Sequence, residues 1–301
     1  MKILVLGAGP AGLTVANRLS EMGKDVLVLE KNSEAGGLCR SRQVDGAPFD
    51  IGGGHFLDTK RERVNQFLFQ FMPESEWNRY ERNSQIFIHN SYINSPIEAN
   101  IWQLEIEEQV EYLKEIAKAG CNTGEKIPDK FVDWIYWKLG KKIAEDYMIP
   151  YNQKMFAEEL NYLGTYWLDK LPDVSFEETL RSCLLHKPYG KQPAHAKFYY
   201  PRKYGYGEVW KRMADKLNGR ILYNVKVKSI DFRQKHIRTA EGEYFAADII
   251  ISTIPWSEFN ELIGMPEKLI LSIKQLKNSA IETRYFQDKL DTKAHWIYYP
   301  D

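Results

Sequence analysis

The fold is decided by residues 1–31, MKILVLGAGPAGLTVANRLSEMGKDVLVLEK. Residues 3–6 are an apolar run of strand length, and residues 25–29 are Asp25 followed by four apolar residues, which predicts two buried strands. Between them, an apolar stripe at helical spacing predicts a helix, and it consists of Leu13, Val15, Ala16 and Leu19. The order strand, helix, strand predicts a βαβ unit whose two strands run parallel.

Residues 7–12, GAGPAG, follow the first strand at once and read GxGxxG. In this motif Gly7 makes the tight turn, Gly9 lets the backbone approach a pyrophosphate, and Gly12 lets the helix pack closely on the strand. The helix start, at Pro10 and Ala11, offers amide groups and the positive end of the helix dipole to phosphates.

Glu30 stands at the end of the second strand. It lies roughly twenty residues beyond the glycines, where an acidic side chain meets a ribose hydroxyl. Strand, glycines, helix, strand and acid in this order predict a dinucleotide site. The alternative is a glycine turn in an ordinary βαβ unit.

Residues 30–41, EKNSEAGGLCRS, resemble the E-K-x-x-x-x-G-G-x-x-x-S element of the FAD-binding amine oxidase and UDP-galactopyranose mutase group. The resemblance implies FAD as the cofactor, because a paired glycine lets the backbone reach its diphosphate and ribityl chain from a second side. The contacts it implies are those of Lys31, Gly36, Gly37, Leu38 and Ser41. The alternative is a Gly-Gly hairpin turn.

Two further elements resemble flavin contacts of the same group. Residues 49–56, FDIGGGHF, resemble its D-x-G-G-H element, which implies that Gly53, Gly54 and a catalytic His55 lie near the flavin ring. One extra glycine separates this chain from the element, so His55 has a structural role as its alternative. Residues 226–230, KVKSI, resemble the strand whose Val backbone meets the adenine, which implies Val227.

Composition excludes several classes of function. The 41 basic and 41 acidic residues cancel, so the 301-residue chain offers no electrostatic argument for a nucleic-acid partner. No apolar run approaches the ~18 residues of a membrane span, and the six His residues give no metal set. Cys39, Cys121 and Cys183 form no disulfide framework, which predicts a reducing, cytoplasmic location.

The chain is predicted to have four parts. Residues 1–95 are the FAD-binding Rossmann part, and 96–195 are a mostly helical insertion that binds substrate nucleotide. Residues 196–265 return to the FAD-binding domain, and 266–301 begin a substrate-side sheet that is cut short. The predicted fold class is therefore α/β: a Rossmann-like FAD-binding domain of the glutathione-reductase type, an inserted helical domain and a second, mainly antiparallel sheet.

Four local expectations can be compared with a structure. Residues 85–93 predict a β-hairpin around Asn90, and 248–255 predict a further buried parallel strand of the first sheet. Asp129 is expected to cap a helix that runs through Lys138. Residues 279–286 and 295–299 are expected to be strands of the second sheet.

The helical part resembles the mutases within the group. Residues 148–157, MIPYNQKMFA, resemble their M-R-P-Y-N-F-K-V-W-A motif, which implies that Tyr151 and Asn152 lie near the uracil of a uridine diphosphate. Residues 86–100 resemble their I-x-x-x-(x)-W-V-P-Y-P-F-Q-N-N stretch, which adds Asn100 as a substrate contact. Residues 295–301, HWIYYPD, resemble their W-L-Y-F-P-E strand.

Three departures accompany the mutase resemblance. In residues 200–210, Lys203 stands at the position of the catalytic Arg and Arg202 comes one residue earlier, and both are candidates for clamping a diphosphate. Lysine keeps the charge but loses the bidentate fork of arginine. Ser95 and Glu98 replace a Tyr and a Gln, and a carboxylate is a poor partner for a diphosphate. The group also continues beyond the point that matches Asp301, so the chain is expected to be the front of a longer protein or a short relative.

The resemblance as a whole implies a FAD-dependent, UDP-galactopyranose mutase-like isomerase of surface polysaccharide biosynthesis, in which reduced flavin acts as a nucleophile without net redox change. Its expected partners are a UDP-sugar or other small substrate, NAD(P)H as candidate electron donor and a homo-oligomeric copy. Two alternatives stay open: an FAD-dependent oxidoreductase of the amine oxidase or desaturase type, and an incomplete, non-catalytic chain.

Overall fold

The computed structural model describes residues 1–122, 124–168, 175–189, 196–287 and 291–300. The chain divides into two compact units. The first unit consists of Met1–Tyr80 and Phe198–Phe286, and the second of Glu81–Lys197 and Gln287–Asp301. The four-part organisation expected from the sequence stays a prediction.

The elements alternate along the first unit and become mainly helical in the second. The strands are β1 Lys2–Leu6, β2 Asp25–Leu29, β3 Ser41–Val44, β4 Ala47–Asp50, β5 Leu57–Asp58, β6 Trp77–Glu81, β7 Ser84–Ile88, β8 Ser91–Asn94, β9 Lys197–Pro201, β10 Ile221–Leu222, β11 Val227–Asp231, β12 His236–Thr239, β13 Tyr244–Ala246, β14 Ile249–Ser252, β15 Glu261–Ile263 and β16 Trp296–Tyr298. The α-helices are α1 Pro10–Glu21, α2 Glu62–Phe69, α3 Ile106–Gly120, α4 Phe131–Ile143, α5 Ile149–Phe156, α6 Phe176–Leu185, α7 Gly207–Lys216 and α8 Glu267–Lys274. Within the described ranges, no helix has both the length and the apolar character needed to cross a bilayer.

The first unit is built around a parallel sheet with the strand order β10-β2-β1-β14. β1 pairs in parallel with β2 on one side and with β14 on the other, which confirms the predicted βαβ unit and the predicted parallel strand within residues 248–255. The predicted burial of that strand was wrong, because Ile249 is exposed and the other three residues of β14 are only half-buried. A second, mainly antiparallel sheet has the order β13-β12-β11-β15. The α/β fold class is therefore confirmed.

β1 is apolar from Ile3 to Leu6 because both of its faces are covered there. Ile3 and Val5 belong to a buried cluster with α1 and α7, whereas Leu4 and Leu6 belong to a second cluster with β11 and β12. Successive side chains of a strand point to opposite faces, so a continuous apolar run is needed here. Each fully buried aliphatic side chain contributes about 1.5–3 kcal/mol relative to exposure.

The second unit has a separate apolar core. Tyr112 and Phe131 are fully buried at its centre, between α3 and α4. The predicted hairpin around Asn90 is confirmed as β7 and β8, and the turn residues His89 and Asn90 both have positive φ, as a two-residue hairpin turn requires. β16 adds to β7 in parallel, which confirms a strand within residues 295–299, but this strand belongs to the sheet β16-β7-β8 and not to the sheet β13-β12-β11-β15.

Two further local predictions were wrong. The N-cap of α4 is Lys130 and has no side-chain cap bond, whereas Asp129 forms an ion pair with Lys126 at 3.1 Å. The helix does run through Lys138 as predicted, and its backbone then departs from helical geometry at Gly140. Residues 279–286 form no strand, because a strand is defined by a ladder to a neighbour and none of the described residues supplies one.

Gly140 is required by the way α3 and α4 pack. Its φ of 76° and ψ of 167° lie in a region reserved for glycine, and a Cβ there would lie 2.4 Å from the carbonyl oxygen of Glu115. This close approach places α4 against α3 in the core of the second unit.

We therefore expect Gly140→Ala to destabilise the protein by about 3 kcal/mol or more, through backbone strain and a clash that only helix displacement relieves. Gly124→Ala is the matched control, because Gly124 has a φ of +90° but no atom within 4 Å of the added Cβ. It should lose about 1–2 kcal/mol. Urea unfolding of both variants measures the difference, and equal losses would show that the α3–α4 approach is not tight.

Candidate functional site

The glycine turn after β1 packs α1 directly onto the sheet. Gly7 has a φ of +95° and donates its N–H to the carbonyl of Leu29 at 2.8 Å. A Cβ on Gly12 would lie 1.9 Å from the carbonyl oxygen of Gly7. These two glycines are therefore required by the protein's own packing, whether or not a ligand is bound.

Gly9 has a different role, because its backbone is extended and open. Its φ of −74° and ψ of 179° suit any residue, and the nearest atom to an added Cβ would be Gly37 Cα at 3.9 Å. A Cβ on Gly37, in turn, would lie 3.1 Å from Gly9 Cα, and Gly36 donates its N–H to the carbonyl of Ala8 at 2.8 Å. The loop that carries Gly36 and Gly37 therefore packs on the glycine turn that follows β1. The backbones of Gly9 and Gly37, which carry no side chains, meet at the N-terminus of α1. We call this meeting point the glycine corner, formed by Gly9, Gly36 and Gly37.

A cavity of about 710 Å³ opens beside the glycine corner, entirely within the first unit. Small-molecule and cofactor pockets are typically about 300–1,000 Å³, so its size suits a dinucleotide. Its lining is Gly7, Gly9, Pro10, Ala11, Leu29, Glu30, Lys31, Asn32, Gly37, Leu38, Cys39, Arg40, Val225, Lys226, Val227, Thr253, Ile254, Pro255, Glu258 and Asn278.

The cavity brings together most of the residues expected to bind the cofactor. Those that line it are Gly7, Gly9, Pro10, Ala11, Glu30, Lys31, Gly37, Leu38 and Val227. The other five, Gly12, Gly36, Ser41, Gly53 and Gly54, are not among its lining residues. The individual contacts to a cofactor stay predictions.

Glu30 is held in a fixed orientation at the rim of the cavity. Its side chain is only 5% exposed. Oε2 accepts the N–H of Ala8 at 2.7 Å, and Oε1 accepts the backbone N–H and the side-chain Nδ2 of Asn32 at 2.9 and 2.7 Å. A carboxylate has about four acceptor positions, so one position remains on Oε2 for a ribose hydroxyl.

Ser41 serves the architecture of the first unit. Its hydroxyl donates to Asp50 Oδ1 at 2.5 Å and accepts the N–H of Gly207 at 2.6 Å. Asp50 also accepts the N–H of Tyr206 and the hydroxyl of Tyr200, at 3.0 and 2.8 Å. Burial and then this last hydrogen bond raise the pKa of Tyr200. Ser41 and Asp50 thus join the double-glycine segment to the start of α7.

His55 also lies outside the cavity lining, in a half-buried position. Its Nδ1 lies 3.0 Å from the carbonyl oxygen of Gly53, and its ring stacks on Tyr206 with centroids 5.8 Å apart. Gly53 needs its glycine, since its φ is +83°, whereas Gly54 has an ordinary φ and is exposed. The contacts observed for His55 are therefore with protein groups of the first unit.

Arg202 and Lys203 lie on the turn after β9 and do not line the cavity. The backbone N–H of Arg202 donates to the carbonyl of Glu76 at 2.8 Å, and its Nε donates to the carbonyl of Trp77 at 3.3 Å. Lys203 is exposed. The arginine thus anchors the turn, and the lysine presents its charge to solvent.

The residues expected to bind substrate lie in the second unit. Tyr151 stacks on Tyr147 with centroids 5.6 Å apart and meets Tyr298 edge-on at 5.3 Å. Burial, and then proximity to Tyr298, raise the pKa of Tyr151 to about 12, so its phenol stays protonated near neutral pH. Asn152 is buried one residue further along α5 and donates its Nδ2 to the carbonyl of Met148 at 2.7 Å.

Asn100 is nearly inaccessible in the same unit, with 1% exposure. Its Nδ2 donates to the carbonyl of Pro96 at 2.8 Å, and its Oδ1 has no partner among the described residues. Nearby in sequence, Glu98 is 6% exposed. Burial above all raises the pKa of Tyr147, the Glu98 charge adds to this, and Arg82 opposes it, so both charges lie close to the tyrosine stack.

Sequence reasoning missed several residues of the cavity. Thr253, Ile254 and Pro255 follow β14, and ligands of open α/β sheets bind at the carboxyl ends of the strands. That rule could have identified them once residues 248–255 were predicted to be parallel to β1. Arg40 and Cys39 have no such signal, because the double-glycine element leaves their positions unspecified.

We expect Gly9→Ala to keep the fold and to lose affinity for FAD, the cofactor that the resemblance predicts. The added Cβ has space in the protein itself but would occupy the path of a diphosphate against the backbone. Flavin fluorescence titration should show a loss of about 10-fold or more, with an unchanged circular dichroism spectrum.

Gly12→Ala is the informative comparison, since its Cβ would lie 1.9 Å from Gly7 O and must disturb the fold itself. Full FAD affinity in Gly9→Ala would remove the glycine corner from the binding site.

We expect Cys39 to react slowly with iodoacetamide and to be protected by FAD. Burial, and then the nearby Asp50 charge, raise the pKa of its thiol from an ordinary 9.0 to about 11. Because the thiolate is the nucleophile, its reaction near pH 8 should be about 100-fold slower than that of an unshifted thiol, and should accelerate as the pH rises toward 11.

Peptide mass spectrometry compares Cys39 with the exposed Cys121 in the same molecule. FAD should slow only Cys39, which lines the cavity. Labelling of Cys39 as fast as Cys121, with or without FAD, would contradict the burial of this wall.

The proteins that resemble this chain include two solved structures and one curated protein. A structure of reduced UDP-galactopyranose mutase matches with a TM-score of 0.80 and 27% identity, over 85% of this chain and 55% of that chain. A UDP-galactopyranose mutase of Mycoplasma pneumoniae is 32% identical over 90 residues, which are 29% of this chain and 22% of the relative. A putrescine oxidase bound to putrescine matches in fold, with a TM-score of 0.59 and 17% identity, over 91% of this chain and 63% of that chain.

The chain thus spans about half of the mutase structure that it matches, at 55% of its length. The activity, substrates and partners of a whole protein are accordingly matters of proposal.

The site fits FAD on its own geometry. Gly9 and Gly37 have no side chains, so their backbones are open to a ligand. The N-terminus of the 12-residue helix α1 lies at the same place and favours a phosphate. Glu30 retains an acceptor position for a ribose hydroxyl. The model of the family described as "flavin containing amine oxidoreductase" matches residues 10–287, nearly the whole chain. The chain therefore belongs to the flavin-containing amine oxidoreductase family, and its cofactor is FAD.

Proposed function

We propose that this chain belongs to a UDP-galactopyranose mutase-like isomerase that binds FAD in its first unit and a sugar nucleotide in its second. The observation that carries the proposal is the TM-score of 0.80 to the reduced mutase over 85% of the chain, against 0.59 to the putrescine oxidase over 91%. The sequence identity to the mutase over this match is 27%.

The first unit would hold the cofactor through backbone and one acid. The bare backbone of Gly9 and Gly37 and the amides at the start of α1 would bind the diphosphate, since a helix N-terminus favours negative charge. The remaining acceptor position of Glu30 would take a ribose hydroxyl, and the backbone of Val227 would meet the adenine. When bound and reduced, the flavin would supply an electron-rich nucleophile for a sugar carbon.

The second unit would recognise the nucleotide base with Tyr151 and Asn152. The Tyr151 phenol, with its pKa near 12, stays neutral and can donate a hydrogen bond while its ring offers a stacking surface. Asn152 and Asn100 would add amide contacts. Arg202 and Lys203 would supply positive charge for the diphosphate leaving group, and such groups lower a barrier most when they are fixed before reaction.

A second candidate is an oxidoreductase of the amine oxidase or desaturase type. The observation in its favour is Glu98, a carboxylate that is 6% exposed and stands where the mutase resemblance has a Gln. A buried carboxylate suits an ammonium group better than a diphosphate, whereas the nearby Arg82 reduces this preference by offsetting its charge.

An isomerase activity also implies an electron donor, a role and an assembly for the protein. A donor such as NAD(P)H would keep the flavin reduced, because isomerisation itself consumes no electrons. A role in surface polysaccharide biosynthesis and a homo-oligomeric assembly belong to the same proposal.

We expect protein reduced with dithionite to convert UDP-galactofuranose into UDP-galactopyranose, as measured by anion-exchange chromatography. The oxidised protein is the control and should be inactive, since its flavin lacks the electrons that make it a nucleophile. Absence of conversion by protein that demonstrably holds reduced flavin would contradict the proposal. Reduction of the flavin by putrescine without any sugar nucleotide would favour the second candidate.

Matched lysine variants sharpen this test. Lys203→Met should lower the rate about 100-fold or more, the loss typical of one removed charge-stabilising group. Lys211→Met changes another exposed lysine, on α7, and should leave the rate unchanged.

A further inference from the structure

Arg40 lines the cavity and carries a positive charge. None of the sequence motifs predicted a role for it. It follows the 3₁₀ turn Gly37–Cys39, and its side chain is 17% exposed. Its Nε is closed off from solvent and has no hydrogen-bond acceptor among the described residues. The ion pair observed for it joins Nη1 to Glu34 Oε1 at 3.5 Å, and the Glu34 side chain is 48% exposed.

The side chain of Arg40 folds back onto the glycine corner. A Cβ on Gly36 would lie 2.9 Å from Arg40 Cγ. Gly36 is itself bonded to the carbonyl of Ala8, and its neighbour Gly37 meets Gly9. The arginine stem therefore lies against the loop that approaches the start of α1, and the residue also lines the cavity.

This arrangement leaves an arginine with unmet donors. A guanidinium has five N–H donors, keeps its charge at every physiological pH, and is costly to bury without acceptors. The long ion pair with Glu34 compensates little, because solvent screens an exposed carboxylate. Because Nε is closed off from solvent, it is also closed off from a ligand in the cavity, so an anionic ligand would bind the terminal Nη groups of the 17% exposed side chain.

We propose that Arg40 binds the diphosphate of FAD, from the Gly36–Gly37 loop beside the N-terminus of α1. The backbone amides with the helix dipole, and the forked cation, would then share the charge of the diphosphate. The double-glycine element does not specify this position, so the assignment rests on the geometry of Arg40 in this chain. It depends on FAD binding and is independent of the sugar-nucleotide proposal.

The test uses ADP and adenosine as probes of the apoprotein, because the two ligands differ only in the diphosphate. Arg40→Gln should weaken ADP and FAD by about 10- to 100-fold, as loss of charge-assisted hydrogen bonds predicts, and should change adenosine by less than about 2-fold. Arg40→Lys should recover part of the ADP affinity, since it keeps the charge without the fork.

Glu34→Gln is the matched control. It removes the counter-ion of Arg40 but leaves the guanidinium in place, so ADP should bind equally or more tightly. Isothermal titration at two salt concentrations measures all of these affinities, and the salt dependence of ADP binding should be smaller in Arg40→Gln.

Three results would overturn the proposal. An equal loss for ADP and adenosine would show that Arg40 only supports the fold of the pocket. A loss for FAD with unchanged ADP would place Arg40 at the isoalloxazine ring. If Arg40→Gln does not fold, Arg40→Lys is measured in its place. Unchanged ADP affinity together with unchanged salt dependence in that variant would contradict binding of the diphosphate by the guanidinium group.

Discussion

The cofactor site depends on one close approach, that of the Gly9 and Gly37 backbones. A single methyl group on Gly37 would lie 3.1 Å from Gly9 Cα. The contact brings a loop from beyond β2 against the turn that follows β1, so two distant glycine segments form one surface at the start of α1. No side chain stands between that surface and a ligand, which is what a diphosphate needs in order to reach backbone amides.

The glycine corner is supported by the core of the first unit and by its neighbouring loops. Toward the core, the alternation of Ile3 and Val5 with Leu4 and Leu6 requires helices on one face and a second sheet on the other. Toward the loops, Asp50 joins the double-glycine segment to the start of α7 through Ser41 and two backbone amides. The corner is therefore held by the packed scaffold before any ligand arrives, which lowers the ordering cost of binding.

The first βαβ unit could be predicted from sequence because its signals are local: strand-length apolar runs, a helical stripe and glycines at fixed spacing. The roles of Ser41 and His55 could not be inferred in the same way. A motif says which positions lie near a ligand in relatives, whereas the hydrogen bonds to Gly207 and Gly53 depend on the folded loops. Arg40 was missed because the double-glycine motif does not specify its position. Its side chain lies where the absence of a side chain on Gly36 leaves space for it.

The errors in the elements have similar causes. Asp129 and Lys130 differ by one residue as helix caps, and the largely exposed Asp129 side chain pairs with Lys126 and makes no cap bond. Residues 279–286 carry strand-forming side chains, but a strand needs a neighbouring ladder. Tyr285 instead donates its hydroxyl to the carbonyl of Asp50 and packs edge-on against Phe49 with centroids 4.5 Å apart.

The central claim is that the glycine corner holds the diphosphate of FAD. A crystal structure of the protein loaded with FAD tests it most directly. We predict the diphosphate against the backbones of Gly9 and Gly37 at the start of α1, and the adenosine ribose within hydrogen-bond distance of Glu30 Oε2. Diphosphate density away from both glycines, with the corner in contact only with protein, would contradict the account.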